Sequence, residues 1–117
     1  MIIPREPRIY VAKSAVDLRW GIDRLAGLVV EHFGKSPRDG ALFVFINKAR
    51  NRLKILFYDP TGAWLLYKRL DRSTFPLPVS LDPGDTLVAV SPEELTSLLR
   101  GLETGRARPT RRLPPLH

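Results

Sequence analysis

Between Gly40 and Leu70 the chain reads GALFVFINKARNRLKILFYDPTGAWLLYKRL. Three apolar segments, at about 41–47, 52–58 and 63–70, are rich in β-branched and aromatic residues and are separated by two turn signals. The second signal, Asp59-Pro60-Thr61-Gly62, is strong, because proline presets φ for a turn and glycine accepts positive φ. The first, Asn47 to Arg52, is a polar hairpin link. Two short links in succession constrain this stretch of the chain to an antiparallel meander. If both links are even in length, alternation puts Leu42, Val44, Ile46, Leu53, Ile55, Phe57, Trp64 and Leu66 on one face. Phe43, Phe45, Arg52, Lys54, Leu56, Tyr58, Leu65, Tyr67 and Arg69 then share the other. A one-residue bulge would swap part of this assignment.

Elements on either side complete the domain. Arg8 to Ala12 (RIYVA) predicts a short strand. Ser14 followed by Asp17 resembles a capping box, and Leu18, Ile22, Leu25, Val29 and Phe33 recur at helical spacing, which predicts a helix over about residues 15–33. Gly34 suits a helix C-terminus and Pro37 blocks a restart. Residues 71–85 carry Pro76, Pro78, Pro83 and Gly84 and read as an irregular connection. Thr86 to Val90 (TLVAV) can add a strand. Ser91-Pro92-Glu93-Glu94 is a helix start with N-cap serine, N1 proline and a glutamate at N3, and Leu95, Leu98, Leu99 and Leu102 give that helix its apolar face. The expected architecture is α+β: a largely antiparallel sheet of four to five strands, one long helix packed on it and a short C-terminal helix. Residues 1–103 form one globular domain. Residues 104–117, Pro-rich and free of acidic groups, read as a flexible basic tail.

Several chemistries find no support. The chain has no cysteine, so disulfides and thiolate metal sites are excluded. Of the two histidines, His32 falls near the end of the first predicted helix and His117 in the tail, with no zinc-ligand spacing. No phosphate-binding glycine loop occurs. Asp17, Asp23 and Asp59 could in principle converge on two metals, as in a nuclease. Simpler roles suffice for them: Asp17 at the helix N-terminus, Asp23 paired with Arg19 at i, i+4, and Asp59 in the turn. Ser14 and Ser91 read as caps rather than nucleophiles. The sequence calls for no enzyme activity, no cofactor and no metal. No apolar run approaches 18 residues, and the start has no signal-peptide core, so a cytoplasmic protein with no membrane partner is expected.

The charge points elsewhere. The formal net charge is +7, and most of the 19 basic residues are arginine. Arginine forks suit phosphate and carboxylate, although a GC-rich genome also favours arginine. Lys48, Arg50, Arg52 and Lys54 are basic at period two, which on a strand is one face. Tyr58 and Tyr67 adjoin them and can stack on bases. Lys68 and Arg69 follow on the next strand, and the tail adds Arg106, Arg108, Arg111 and Arg112.

At this point the chain resembles a known family. The motif residues are Val16-Asp17-Leu18-Arg19 with Gly21 and Leu25, then Gly40 to Phe45, Asn47, Arg50, Arg52, Lys54-Ile55-Leu56, Asp59, Gly62, Tyr67-Lys68-Arg69-Leu70 and Phe75. Together they are similar to TnpB, the accessory-protein family of the IS-sixty-six class of bacterial insertion sequences, over about residues 8–102. The stretch after Phe75 and the Arg-rich end depart from the family pattern. The resemblance implies a non-enzymatic helper in transposition and DNA recombination of a mobile element. Two mechanisms are open. In the first, Lys48, Arg50, Arg52, Lys54, Tyr67, Lys68, Arg69 and the four tail arginines bind DNA at the element ends. In the second, the chain is an adaptor for the transposase or another accessory protein, with Phe43, Phe45, Leu56 and Leu65 as an apolar protein interface that could also serve a homodimer.

Overall fold

The computed structural model describes residues 6–78, 82 and 84–101. Its elements are β1 (Ile9–Ala12), α1 (Ile22–Glu31), β2 (Leu42–Ile46), β3 (Arg52–Asp59), β4 (Gly62–Arg69), β5 (Leu87–Val90) and α2 (Pro92–Arg100). The five strands form one sheet in the order β4-β3-β2-β1-β5. The β2–β3–β4 meander is antiparallel and unbulged, with Phe43 opposite Leu56, Leu56 opposite Leu65 and Asp59 opposite Gly62. That register gives the two faces the alternation predicts.

The sheet is mixed rather than largely antiparallel. β1 pairs with β2 in parallel, Ile9 opposite Leu42, and with β5 in antiparallel fashion, Ile9 opposite Val90. A parallel pair needs a crossover, and residues 13–41, with α1 inside them, supply it. β2 is therefore covered on both faces, and all five of its residues, LFVFI, are buried.

Two apolar layers flank the sheet. On one face Val11, Val44, Ile46, Leu53 and Phe57 pack with Phe75 and Leu98, and Leu95 and Leu99 of α2 lie against them. On the other, Phe43, Phe45 and Leu56 pack with Leu25 and Val29 of α1 and with Val16 and Leu18. The proposed interface set therefore requires correction: Phe43, Phe45 and Leu56 are each 0 % exposed, and Leu65 is half-buried against the same layer. The α1 crossover covers the face that would have had to meet a partner.

The first helix also differs from expectation. It is ten residues long and starts at Ile22, not near Ala15, with Gly21 as its N-cap. Residues 14–20 are held by a local turn. The Asp17 carboxylate accepts from the Arg19 backbone N–H at 3.0 Å, and the Trp20 N–H donates to the Asp17 carbonyl. Val16 N–H bonds to the Ile46 carbonyl, so the segment lies along the end of β2. An aspartate that satisfies the backbone this way competes with helix. Ser14 caps nothing, and Arg19 pairs with Asp17, not Asp23. Both helices are short. α2 begins as expected: Ser91 Oγ accepts from Glu94 N–H at 3.0 Å and Glu94 Oε1 accepts from Ser91 N–H at 2.7 Å. Leu102 and the basic tail lie outside the described residues.

Candidate nucleic-acid interface

Four basic positions at period two do not make a strand stripe here. Lys48 and Arg50 fall in the β2–β3 loop, and only Arg52 and Lys54 belong to β3. Asn47 builds that loop. Its Oδ1 accepts from the N–H groups of Asn51 and Arg52, each at 3.0 Å, and its Nδ2 donates to Asn51 Oδ1. Arg50 takes φ +60, in the left-handed region, and its carbonyl accepts the N–H of buried Phe75 at 2.7 Å. A left-handed non-glycine residue carries a modest steric cost. The backbone bond to the Phe75 segment helps hold it.

Arg52, Lys54, Tyr67 and Arg69 do come together on the α1 side of the sheet. Arg52 stands opposite Arg69 and Lys54 opposite Tyr67. Arg52 Nε donates to the Tyr67 hydroxyl at 2.9 Å. Lys54 is engaged within the fold: its ammonium donates to the Trp20 carbonyl at 3.1 Å and lies 5.6 Å from the centre of the Tyr67 ring. Lys68 is on the opposite face, where it donates to the Leu99 carbonyl at 2.7 Å and so closes the C-terminal end of α2. A cation at that end also complements the helix dipole. Lys68 and Arg69 therefore do not act as one cluster. The tail arginines Arg106, Arg108, Arg111 and Arg112 lie outside the described residues.

Beside Arg52 the structure opens a cleft of about 580 Å³ between the 15–19 turn and the β2–β3 loop. Asp17, Arg19, Lys48, Asn47, Arg52 and Tyr67 are among its lining residues. Asp17 is committed to Arg19, with Oδ2 accepting from Nη2 at 2.8 Å. The hydrogen bonds from Arg19 lower the Asp17 carboxyl to about 2, and the same contact raises the Arg19 guanidinium. Among the described residues, Lys48, Arg52 and Arg69 form no ion pair with a carboxylate. The cleft rim is thus a cationic surface with its single carboxylate neutralised. It can hold an anion by charge and by guanidinium hydrogen bonds; it contains no arrangement of nucleophile and base.

The three aspartates weighed as metal ligands stay apart in their bonding. Asp59 accepts from Trp64 Nε1 at 2.7 Å, from the Thr61 N–H and hydroxyl, and from the Gly62 N–H. The Trp64 bond is the first cause of its depressed carboxyl, about 2. Among the described residues no three histidine, aspartate or glutamate side chains gather as a metal site. No described helix is long and apolar enough to cross a membrane.

Sequence reasoning missed Arg19 as a cleft residue, and it missed three further cations set over aromatic rings: Arg24 over Trp20 at 4.4 Å, Lys35 over Tyr10 at 4.6 Å and Arg38 over Tyr58 at 4.6 Å. The i, i+4 spacing of Trp20 and Arg24 is a signal that could have found one of them. The other two pairs join residues distant in sequence. Tyr58 is thereby covered by Arg38 rather than open for stacking.

The comparisons with known proteins agree with the motif residues. No solved structure matches the chain. Two proteins of Sinorhizobium fredii (strain NBRC 101917 / NGR234) do, both named as uncharacterized. The protein y4hO is 38% identical over 96 residues, covering 82% of this chain and 81% of that one. The protein y4jC is 35% identical over 101 residues, covering 86% and 84%. The family model described as IS66 Orf2 like protein matches residues 7–109, nearly the whole of the described fold, and so the chain belongs to the TnpB family of IS66 insertion sequences, a family of transposition-associated accessory proteins.

Proposed function

We propose that this chain is a non-enzymatic transposition factor that binds the phosphate backbone of the element's DNA through the cleft lined by Arg19, Lys48 and Arg52, together with Arg69, which stands opposite Arg52 on β4. One observation carries the reading. Arg52 and Arg69 face each other directly across β3 and β4, and no carboxylate among the described residues neutralises either. Like charges directly opposite each other in an antiparallel pair are destabilising. A phosphate between them removes the repulsion and accepts from both forks. Neither described helix offers a basic groove-reading face: α1 and α2 pack their apolar sides into the core, and α1 mixes Asp23 and Glu31 with Arg24 on its exposed side. Contact is therefore with the backbone and carries little sequence preference.

The test is duplex DNA binding as a function of salt. Each phosphate contact contributes about 0.9 to the slope of log affinity against log salt. Arg52→Ala and Arg69→Ala should each lower that slope by about one and weaken all sequences alike. Arg100→Ala, on α2 at the other face, should leave it unchanged. Absence of binding at about 50 mM salt, or an equal effect from Arg100→Ala, overturns the proposal. In either event an adaptor role would take its place, on a surface other than the buried Phe43, Phe45 and Leu56.

A further inference from the structure

The outer edge of β4 suits a second copy of this chain. β4 is eight residues long and stands at the end of the sheet. Among the described residues nothing pairs with its outer side. The two-residue turn makes Asp59 and Gly62 a hydrogen-bonded pair, and Leu70 N–H still points inward to the Asn51 carbonyl at 2.9 Å. The even-numbered residues thus bond to β3, and the N–H and C=O groups of Ala63, Leu65, Tyr67 and Arg69 point outward. Edge strands are normally protected by proline, a bulge, an inward charge or shortness. From Gly62 to Tyr67, β4 has none of these. The opposite edge, β5, is only four residues long.

Exposure marks the same strand. Trp64 is 41 %, Leu66 42 % and Tyr67 54 % exposed, three of the four large apolar residues the described fold leaves open.

We infer that two copies pair antiparallel through β4 about a two-fold axis at Leu65, forming one continuous ten-stranded sheet. The backbone alternation allows an axis at Leu65, Leu66 or Tyr67, and the side chains and charges along the strand select Leu65. Setting Leu65 against the partner's Leu65 matches outward-pointing backbone groups with each other and keeps each face in phase. Trp64 then meets the partner's Leu66 on one face, and Tyr67 meets the partner's Ala63 on the other. The basic end of each strand, Lys68 and Arg69, falls beside the turn that carries the partner's Asp59, so opposite charges adjoin. Shifting the axis to Leu66 places Trp64 against the partner's Lys68, and shifting it to Tyr67 stacks the two basic ends more closely. Symmetry of this kind is isologous: one patch is used twice and the contact closes.

The axis is perpendicular to the sheet, so both clefts open on the same side. Arg52 and its copy lie eight residues apart along the strands and three strand spacings across, about 30 Å in all. The dimer does not depend on what the clefts bind.

The test uses the purified full chain without DNA. Sedimentation equilibrium should give twice 13.3 kDa for the wild type. Leu66→Lys, at an exposed position, should give the monomer with an unchanged circular-dichroism spectrum. The chain has no cysteine of its own, so engineered thiols report the register. Leu65→Cys should form a disulfide-linked dimer under mild oxidation, since paired Cα atoms in that position stand about 5.5 Å apart. Tyr67→Cys alone should not, whereas Ala63→Cys with Tyr67→Cys in one chain should. A monomeric wild type at about 100 μM, whatever other protein strand it then accepts, overturns the inference. Cross-linking of Tyr67→Cys as fast as Leu65→Cys overturns the register.

Discussion

Gly101 ends α2 in a conformation that only glycine holds at low cost, and replacing it tests the joint between α2 and the loop after β4. Its φ is +80 and its ψ 170. A Cβ there would stand 2.7 Å from Leu70 Cδ1, 2.8 Å from Ser73 Oγ and 3.2 Å from the Thr74 carbonyl oxygen. The Ser73 hydroxyl can rotate away. Leu70 packs against the core layer beneath α2 and yields only by loosening it. The backbone term for Gly101→Ala is about 1–3 kcal/mol. Overpacking adds about 1–3 kcal/mol, and the two overlap because one shift relieves both. We expect a loss of about 3 kcal/mol, a large part of the stability of a domain this size. Urea unfolding followed by circular dichroism reads it directly. With m near 1.5 kcal/mol/M, the midpoint should fall by roughly 2 M at unchanged m. Gly27→Ala is the control of opposite sign: that glycine lies inside α1 with nothing within 4 Å of an added Cβ. It should stabilise by about 0.5–1 kcal/mol through helix propensity. A Gly101→Ala midpoint within experimental error of the wild type would refute the argument.

Other expectations follow from the bonds already described. Ser91→Ala removes one half of a capping box and should cost about 0.5–2 kcal/mol, whereas Ser14→Ala should stay within about 0.5 kcal/mol; equal losses in the two unfolding curves would count against the short α1. The pH dependence has a definite sign. Asp17 and Asp59 both ionise at about 2 in the fold against 3.8 ordinarily, so their stabilisation is complete above that ordinary value and is lost as pH falls through about 2. Melting temperature should drop across that window, and Asp59→Asn should flatten the drop; an unaltered profile in Asp59→Asn would show that its turn and tryptophan bonds do not couple to folding.

Much of this fold was legible because its signals are local. The Asp59–Gly62 turn, the two unbulged links and the alternation of LFVFI against RLKILFYD determine the meander's register, and the observed pairing follows it residue by residue. Ser91, Pro92 and Glu94 mark the start of α2 in the same way. What failed was what depends on distant partners. The parallel pairing of β1 with β2 leaves no trace in either segment alone. The helical spacing of Leu18, Ile22, Leu25 and Val29 picks out side chains that do pack in the core layer, but Leu18 gets there from a turn closed by Asp17 and not from a helix. The basic stripe failed for a related reason. Period two has no geometric meaning through the loop that holds Lys48 and Arg50, and the fold spends Lys54 and Lys68 on the carbonyls of Trp20 and Leu99. Which cations remain for a ligand is a tertiary property.

The placement of β1 between β2 and β5 has a consequence for synthesis. β2, β3 and β4 can close as each leaves the ribosome, because their contacts are nearest-neighbour hairpins. β1 emerges before them yet gains its second neighbour only when residues 87–90 arrive. Until then Ile9 and Val11, which finish almost wholly buried, sit on an open strand edge. A chain halted before Leu87 would keep the hairpins and leave that edge bare, a template for aggregation rather than a shorter working protein. Arrival of residues 87–90, not closure of the meander, is what covers that edge.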